Sequence, residues 1–102
     1  IPIYVSPDSV EAWAQPELFL QDGSMAGTPP DCFCEQGQLW GNPLYDWDNM
    51  KKRGFLWWVA RMAHCLAHYD VVRLDHFRGL EAYFAIPANG TRRSPRLIRS
   101  PR

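Results

Sequence analysis

The sequence lacks the features that mark several common classes of protein. No segment resembles a signal peptide, and no apolar run is long enough to cross a bilayer, so we expect no membrane partner. The chain has only three cysteines, and Cys32 and Cys34 lack both the Cys-x-x-Cys spacing and the histidine partners of a zinc site. We therefore predict reduced thiols, no metal ion and no other cofactor.

The chain also lacks a net charge, because eleven basic residues match eleven acidic ones. The charges are unevenly placed. Residues 91–102 contain five arginines and no acid, which leaves residues 1–90 with a net charge of −5. The tail has no amphipathic pattern, and we predict that residues 91–102 are disordered. A lone basic tail is weak support for nucleic-acid binding, so nucleic acid is not an expected partner.

An initiating methionine is absent as well, and the chain enters a strand-like run at once over residues 1–5. We therefore expect a piece of a longer protein. The composition, 46% hydrophobic and 14% aromatic, is that of a folded domain and not of a disordered segment.

The first predicted helix follows the strand-like run. Asp8 followed by Glu11 is typical of a helix start and predicts a short helix over residues 10–14, with Asp8 as its N-cap. Pro16 ends this helix. Asp8 has a second interpretation, as a polar group at the exit of a strand, where α/β folds bind ligands.

A second helix is predicted from about residue 46 to residue 69, with Asp46 or Asp48 as its cap and an interruption at Gly54. It carries an apolar stripe at helical spacing. His64 and His68 lie four residues apart, as metal-binding pairs do, but no third ligand is nearby. A solvated helix face is therefore the favoured interpretation of these histidines.

Residues 21–45 contain four glycines and three prolines and show no regular periodicity, which predicts a long irregular loop. Within it, Trp40 lies between Gln38 and Asn42. An aromatic ring beside amide groups suits a sugar, whose C–H faces stack on rings while its hydroxyls need donors and acceptors. An ordered loop anchored by its aromatic residues is an equally good interpretation.

Residues 70–79 concentrate the polar chemistry. Two valines and a leucine predict a short buried strand over residues 71–74, and the order strand, helix, strand predicts an α/β fold with a parallel sheet. Arg73 and Asp75 project from the same side of that strand. Burying both is costly unless they pair with each other or with a ligand. Residues 80–86 are predicted to form a short helix that ends at Pro87.

Five motifs follow one another along the first 88 residues: IPIYV-x-x-DS (residues 1–9), WA-x-PELF (13–19), PPD-x-F (29–33), GQLWGNPLY (37–45) and RLDHFRG (73–79). Together they closely resemble the 4-alpha-glucanotransferases (amylomaltases or disproportionating enzymes) of glycoside hydrolase family 77. The resemblance implies a fragment of a (β/α)₈ TIM barrel, from about its third strand to just past its fourth, with a long active-site loop.

The resemblance also implies roles for single residues. Asp75 matches the catalytic nucleophile, and Arg73 the group that orients it and keeps it ionised. The substrate, an α-1,4-glucan or maltooligosaccharide, would undergo a retaining double displacement that passes a segment to a glucose or glucan acceptor. Sugar-binding roles are implied for Asp8, Asp31, Trp40, Asn42 and His76.

The resemblance stops short of a complete site. The general acid/base glutamate and a further essential aspartate of the family lie after later strands, outside this chain. We therefore expect the isolated chain to be inactive, and its uncovered strand edges to favour aggregation or a molten state. Residues 1–90 would be a partial catalytic barrel, followed by a divergent tail that looks like a truncated or frame-shifted end.

Two alternatives stay open at this point. One is an α-amylase-like hydrolase, which shares Arg-x-Asp at the nucleophile strand. The other is a small non-catalytic protein that binds glucan or nucleic acid. For localisation, we expect the cytoplasm, or a plastid if the source is a photosynthetic eukaryote.

Overall fold

The computed structural model describes residues 1–88 and 96–99, which combine helices with a four-stranded antiparallel sheet. No helix in this part of the chain is long and apolar enough to cross a membrane. In chain order, the elements are helix α1 (Val10–Ala14), a 3₁₀ turn (Pro16–Leu18), strands β1 (Met25–Thr28) and β2 (Gln38–Pro43), helices α2 (Trp47–Lys52) and α3 (Leu56–His68), a second 3₁₀ turn (Phe77–Leu80), and strands β3 (Ala82–Ile86) and β4 (Arg96–Arg99).

The helices follow the local signals in the sequence. Asp46 caps α2 by accepting a hydrogen bond from the Asn49 N–H at 3.0 Å, and Gly54 adopts a left-handed φ of 67° between α2 and α3, as the predicted interruption requires. The cap of α1 differs from the prediction. Ser9, not Asp8, precedes the first helical residue, so the Ser9 hydroxyl accepts from the Ala12 N–H at 3.2 Å.

The long irregular loop predicted over residues 21–45 is wrong, because residues 25–28 and 38–43 form the two strands of a hairpin. Strands β1 and β2 pair antiparallel, with Gly27 opposite Leu39. A Cβ atom at Gly27 would lie 2.3 Å from the Gln38 carbonyl oxygen, so the missing side chain lets the strands approach. The hairpin loop itself is confined to residues 29–37.

The short helix predicted over residues 80–86 is also wrong. A 3₁₀ turn ends at Leu80, and β3 then pairs with β1 on one side and β4 on the other, giving the order β2-β1-β3-β4. Strand β4 lies inside the tail that was predicted to be disordered, because β3 offers it a ladder partner. Residues 91–95 and 100–102 of that tail lie outside the described residues.

Residues 1–5 and 71–74 do not form the two regular strands predicted for them. They are neighbours nonetheless. The Ile1 nitrogen donates to the Arg73 carbonyl oxygen, and the Asp75 N–H donates to the Ile1 carbonyl oxygen at 2.8 Å. In parallel strands, one residue bonds to the two residues that flank its neighbour on the adjacent strand, and Ile1 bonds in this way to Arg73 and Asp75. Val71 is 84% exposed, so the prediction that the strand over residues 71–74 is buried is wrong at this residue.

An aromatic core organises the fold around Tyr45, which is 1% exposed. Its ring lies within 6.0 Å, centroid to centroid, of five other rings, those of Tyr4, Phe19, Trp47, Trp57 and Trp58. Such contacts add to the large area that buried aromatic rings remove from water. The apolar stripe predicted on helix α3 includes Leu56, Val59 and Leu66, which are all exposed, so the stripe does not pack into the core.

Buried tyrosines make the fold sensitive to alkaline pH. Burial raises the pKa of Tyr83 to about 12, from an ordinary value of 10.0, and nearby carboxylates, that of Asp48 first, add to the effect. Burial also raises the pKa values of Tyr4 and Tyr45. These groups ionise more readily in the unfolded chain, so their stabilising contribution is complete below pH 10.0 and is lost as the pH rises toward 12.

We therefore expect the free energy of unfolding to fall steeply between pH 10 and pH 12, as measured by urea titration with circular dichroism. Tyr83→Phe removes one of the responsible groups and is expected to make this fall shallower. Tyr69→Phe, at an exposed position, serves as the matched control. Identical pH slopes for Tyr83→Phe and the unmodified chain would contradict the assignment.

Candidate functional site

The ion pair anticipated between Arg73 and Asp75 is present. Arg73 Nε lies 3.4 Å from Asp75 Oδ1, and the two side chains are 91% and 66% exposed. An ion pair this exposed contributes little to stability, typically less than about 1 kcal/mol. The Asp75 carboxylate therefore lies at the surface beside a guanidinium group, where a ligand can reach it.

A network of hydrogen bonds fixes the segment that lies beside Asp75. Tyr45 Oη donates to the Ile3 carbonyl oxygen at 2.6 Å. Arg61, from α3, donates to the same oxygen at 3.0 Å and to the Pro2 carbonyl oxygen at 2.6 Å. The Arg61 guanidinium also lies 5.0 Å from the ring centroid of Trp58. Sequence reasoning missed Arg61, although an arginine three residues after Trp58 is a recognisable cation–π spacing on a helix.

A second group of side chains brings distant parts of the sequence together. The Trp40 ring on β2 meets the His76 ring edge-on, with centroids 5.2 Å apart and planes at 84°, and the Tyr4 ring lies 6.2 Å from His76. Trp40 Nε1 donates to Gln38 Oε1 at 3.0 Å. Since Trp40 remains 39% exposed, a face of aromatic character stays open to a ligand.

His76 is held in an uncommon conformation. Its φ is 52°, in the left-handed region where residues other than glycine carry strain that often marks a functional position. Gly79 makes this placement possible, because a Cβ atom there would lie 2.8 Å from His76 Cδ2 and 2.9 Å from Ile3 Cδ1. Gly79 is the last residue of the motif RLDHFRG, but the sequence predicted no role for it.

The remaining predicted residues make contacts of a different kind. Asn42 Nδ2 donates to the Val5 carbonyl oxygen at 2.9 Å and so connects β2 to residues 1–5. Asp31 Oδ1 accepts from the N–H groups of Phe33 and Cys34, at 2.9 and 2.8 Å. These bonds place Asn42 on β2 beside residues 1–5 and Asp31 in the hairpin loop, where each side chain holds backbone.

Asp8 lies three residues after the end of the segment formed by residues 1–5. The Ser6 hydroxyl donates to Asp8 Oδ1. This hydrogen bond is the main cause that lowers the pKa of Asp8 from its ordinary value, and a backbone hydrogen bond is the second cause. The ionised carboxylate is therefore the stable form. An ionised carboxylate accepts hydrogen bonds only, and can receive them from two hydroxyl groups at once.

Among residues 1–88 and 96–99, no group of three or more His, Cys, Asp or Glu side chains is arranged to hold a metal ion. His64 and His68 do lie close, with ring centroids 4.5 Å apart, but His68 Nδ1 faces the His64 carbonyl oxygen at 2.9 Å. A groove of about 540 Å³ lies between the helices, lined partly by Leu18, Met50 and Trp57, and the ion pair is not part of its lining.

Comparisons with known proteins agree on one family. The sequence model described as 4-alpha-glucanotransferase matches residues 1–101. A 4-alpha-glucanotransferase of Streptococcus pneumoniae (strain TIGR4) is 49% identical over 100 residues, which cover 93% of this chain and 20% of that protein. The rice (Oryza sativa subsp. japonica) 4-alpha-glucanotransferase DPE1, chloroplastic/amyloplastic, is 46% identical over 93 residues, which cover 86% of this chain and 16% of the rice protein.

Solved structures point the same way. The chain superposes on the amylomaltase from Streptococcus agalactiae in complex with acarbose with a TM-score of 0.93 and 44% identity. That match covers 99% of this chain and 22% of the amylomaltase. The chain therefore spans about a fifth of the length of the curated relatives and solved structures that it matches.

Proposed function

The chain belongs to the 4-alpha-glucanotransferase family, and from this membership we propose that it supplies the nucleophile segment of a retaining transferase that acts on α-1,4-glucans. The observation that supports this most is the exposed Asp75 carboxylate, 3.4 Å from the Arg73 guanidinium within the motif RLDHFRG. The relatives reported above are named as transferases, which favours this proposal over an α-amylase-like hydrolase.

In the proposed reaction, an oxygen of Asp75 attacks the anomeric carbon of a bound glucan and displaces the rest of the glucan chain. A glycosyl ester on Asp75 results. A hydroxyl of the acceptor then attacks the same carbon and releases Asp75, with net retention of configuration. Arg73 orients the carboxylate and keeps it ionised. The acid/base group needed about 5–5.5 Å from the nucleophile would come from chain beyond this segment.

The proposed frame is a (β/α)₈ barrel in which residues 1–5 and 71–74 are neighbouring strands, about the third and the fourth. The parallel-type hydrogen bonds around Ile1 support this arrangement. Asp8 and Asp75 then both follow the carboxyl ends of strands, where active sites of such barrels form.

Substrate contacts are proposed for five side chains around this end of the barrel. Trp40 would stack on a sugar ring, and His76, which contacts the Trp40 ring, would bond a sugar hydroxyl at the cleavage point. Asp8 would accept from a hydroxyl there. Asn42 would act from β2, and Asp31 from the hairpin loop, which is proposed to cover the bound glucan. The cytoplasm or, as in the name of the rice relative, a plastid is the proposed location.

The proposal is tested with a chimera in which residues 1–88 replace the aligned segment of the Streptococcus pneumoniae relative. We expect the chimera to transfer glucose units from maltotriose, measured as released glucose and longer maltooligosaccharides by chromatography. The isolated 102-residue chain is expected to give no transfer, because it lacks the second carboxylic acid of the double displacement.

The thermal unfolding midpoint of the chimera, compared with that of the parent relative, serves as the folding control. A chimera that folds like the parent but transfers no glucose would refute the proposed function. Measurable transfer by the isolated chain would refute the proposal that essential groups lie outside it.

Gly79→Ala in the same chimera tests the link between Gly79 and His76. The new methyl group would displace the imidazole, and misplacing a substrate-binding group by about 1 Å can cost about 10²-fold in rate. We expect kcat/KM for maltotriose to fall by roughly 10- to 100-fold. In a His76→Ala background the same change should add less, since the ring it displaces is gone and only the end of the Ile3 side chain remains close. Equal losses in both backgrounds would contradict this link.

A further inference from the structure

The hairpin loop between β1 and β2 carries two cysteines for which the proposed glucan chemistry has no use. Cys32 is exposed and Cys34 is half-buried, and both are free thiols. Phe33, between them, is 94% exposed, so this stretch stands at the surface.

The backbone around the two thiols is folded into a tight turn. Asp31 Oδ1 accepts from the N–H groups of Phe33 and Cys34, and the Asp31 N–H donates to the Cys34 carbonyl oxygen at 3.0 Å. Cα atoms two residues apart are separated by at most about 7 Å in a fully extended chain. A disulfide requires Cα atoms about 4.4–6.8 Å apart, so a turn, which shortens the extended distance, is the backbone shape that a bond between the two thiols needs.

Cys34 also connects this turn to the strand that carries Trp40. The Cys34 thiol donates to the Gly37 carbonyl oxygen at 3.1 Å, and the Gly37 N–H donates back to the Cys34 carbonyl oxygen, also at 3.1 Å. Gly37 is buried and left-handed, with φ of 69°, and β2 begins at the next residue. Oxidation of the thiol removes the first of these two hydrogen bonds.

We propose that Cys32 and Cys34 form a thiol–disulfide exchange site that reacts with low-molecular-weight disulfides such as glutathione disulfide. The Cys32 thiolate attacks the reagent's S–S bond, forms a mixed disulfide and releases one thiol. The Cys34 thiolate then attacks Cys32 Sγ, forms the Cys32–Cys34 disulfide and releases the second thiol. Two protein thiols are oxidised, one reagent disulfide is reduced, and two protons pass to the released thiolates.

The site is suited to reversible exchange and not to a permanent cross-link. A disulfide that closes so short a loop is strained, and strained, exposed disulfides have the more oxidising potentials typical of labile or regulatory bonds. Reduced cytosolic thiols that oxidise transiently are of this kind. The proposal extends beyond glucan transfer, because it makes the backbone that leads into β2 dependent on the oxidation state of the pair.

The experiment treats the 102-residue chain and the chimera, under native buffer conditions, with glutathione disulfide, followed by alkylation of remaining thiols and peptide mass mapping. A Cys65→Ser background leaves only the pair in the chain. We expect both thiols to disappear with a loss of two hydrogens and no retained glutathione. Excess dithiothreitol should restore both thiols. Amide hydrogen exchange at Gly37 should accelerate by about tenfold in the oxidised form.

Cys34→Ser is the matched control, because its hydroxyl can still donate to the Gly37 carbonyl oxygen but cannot form a disulfide. It should end with one glutathione on Cys32 and unchanged exchange at Gly37. Retained glutathione on Cys32 or Cys34 of the unmodified pair, or a pair that does not react, would overturn the proposed site. Disulfide formation with unchanged exchange at Gly37 would overturn its connection to β2.

Discussion

Asp75→Asn is expected to lower glucan transfer by the chimera by at least about 10⁴-fold, because removal of a covalent nucleophile leaves only binding and the other catalytic groups. The amide is nearly isosteric with the carboxylate but is a poor nucleophile toward the anomeric carbon, so the glycosyl ester does not form. Released glucose from maltotriose, followed under initial-rate conditions, measures the loss.

The expected loss is catalytic and not a loss of folding. The Asp75 side chain is 66% exposed, and its ion pair with Arg73 is the kind that contributes less than about 1 kcal/mol to stability. The thermal midpoint of the variant should therefore match that of the unmodified chimera. Asp70→Asn, an exposed carboxylate five residues earlier, is the matched control and should leave transfer intact. Comparable losses in the two variants would contradict the role of Asp75.

Gly27→Ala is expected to destabilise the fold by roughly 3 kcal/mol, at the upper end of what forced overpacking costs. A Cβ atom at this position would lie 2.3 Å from the Gln38 carbonyl oxygen and 2.4 Å from Ile86 Cδ1. The carbonyl belongs to the backbone of β2, so it cannot move without breaking the ladder with β1. Since β1 joins β2 to β3, the sheet would lose its central connection.

Chemical denaturation of the chimera measures this effect as a change in the free energy of unfolding. Gly41→Ala separates steric overlap from backbone strain. Gly41 is left-handed, with φ of 79°, but nothing lies within 4 Å of a Cβ atom built there. Its replacement should therefore cost only the conformational term, about 1–2 kcal/mol. A Gly27→Ala variant as stable as Gly41→Ala would contradict the close approach of the strands.

The two variants also report on different kinds of information in the sequence. The role of Asp75 is proposed from the resemblance of its motif, RLDHFRG, to that of a known family, and no tertiary contact was needed to select it. The importance of Gly27 could not be inferred in that way, because the oxygen and methyl group that exclude a side chain there belong to residues 11 and 59 positions away along the chain. Contacts across such distances leave no periodic signal in a single sequence.

Local signals in the sequence were sufficient to predict α2, its cap and the break before α3, and the motifs were sufficient to indicate the family. Capping by Asp46 and the interruption at Gly54 depend on groups within four residues, so local physical chemistry is sufficient to predict them. Membership follows from several motifs in one order, and the family comparison supports it over residues 1–101. The pair of Arg73 and Asp75 is likewise local, because one position separates the two residues, and it is present although residues 71–74 do not form the regular strand predicted for them.

The assembly of the sheet and of the candidate site depends on contacts between distant parts of the chain. Strands β1 and β2 are rich in residues with weak strand preference, and they form because partners from other parts of the chain complete their hydrogen bonds. The ring contact of Trp40 with His76 joins residues 36 positions apart, and the hydrogen bond of Arg61 to Pro2 joins residues 59 positions apart. Such contacts depend on the packing of the whole fold, which no local pattern specifies.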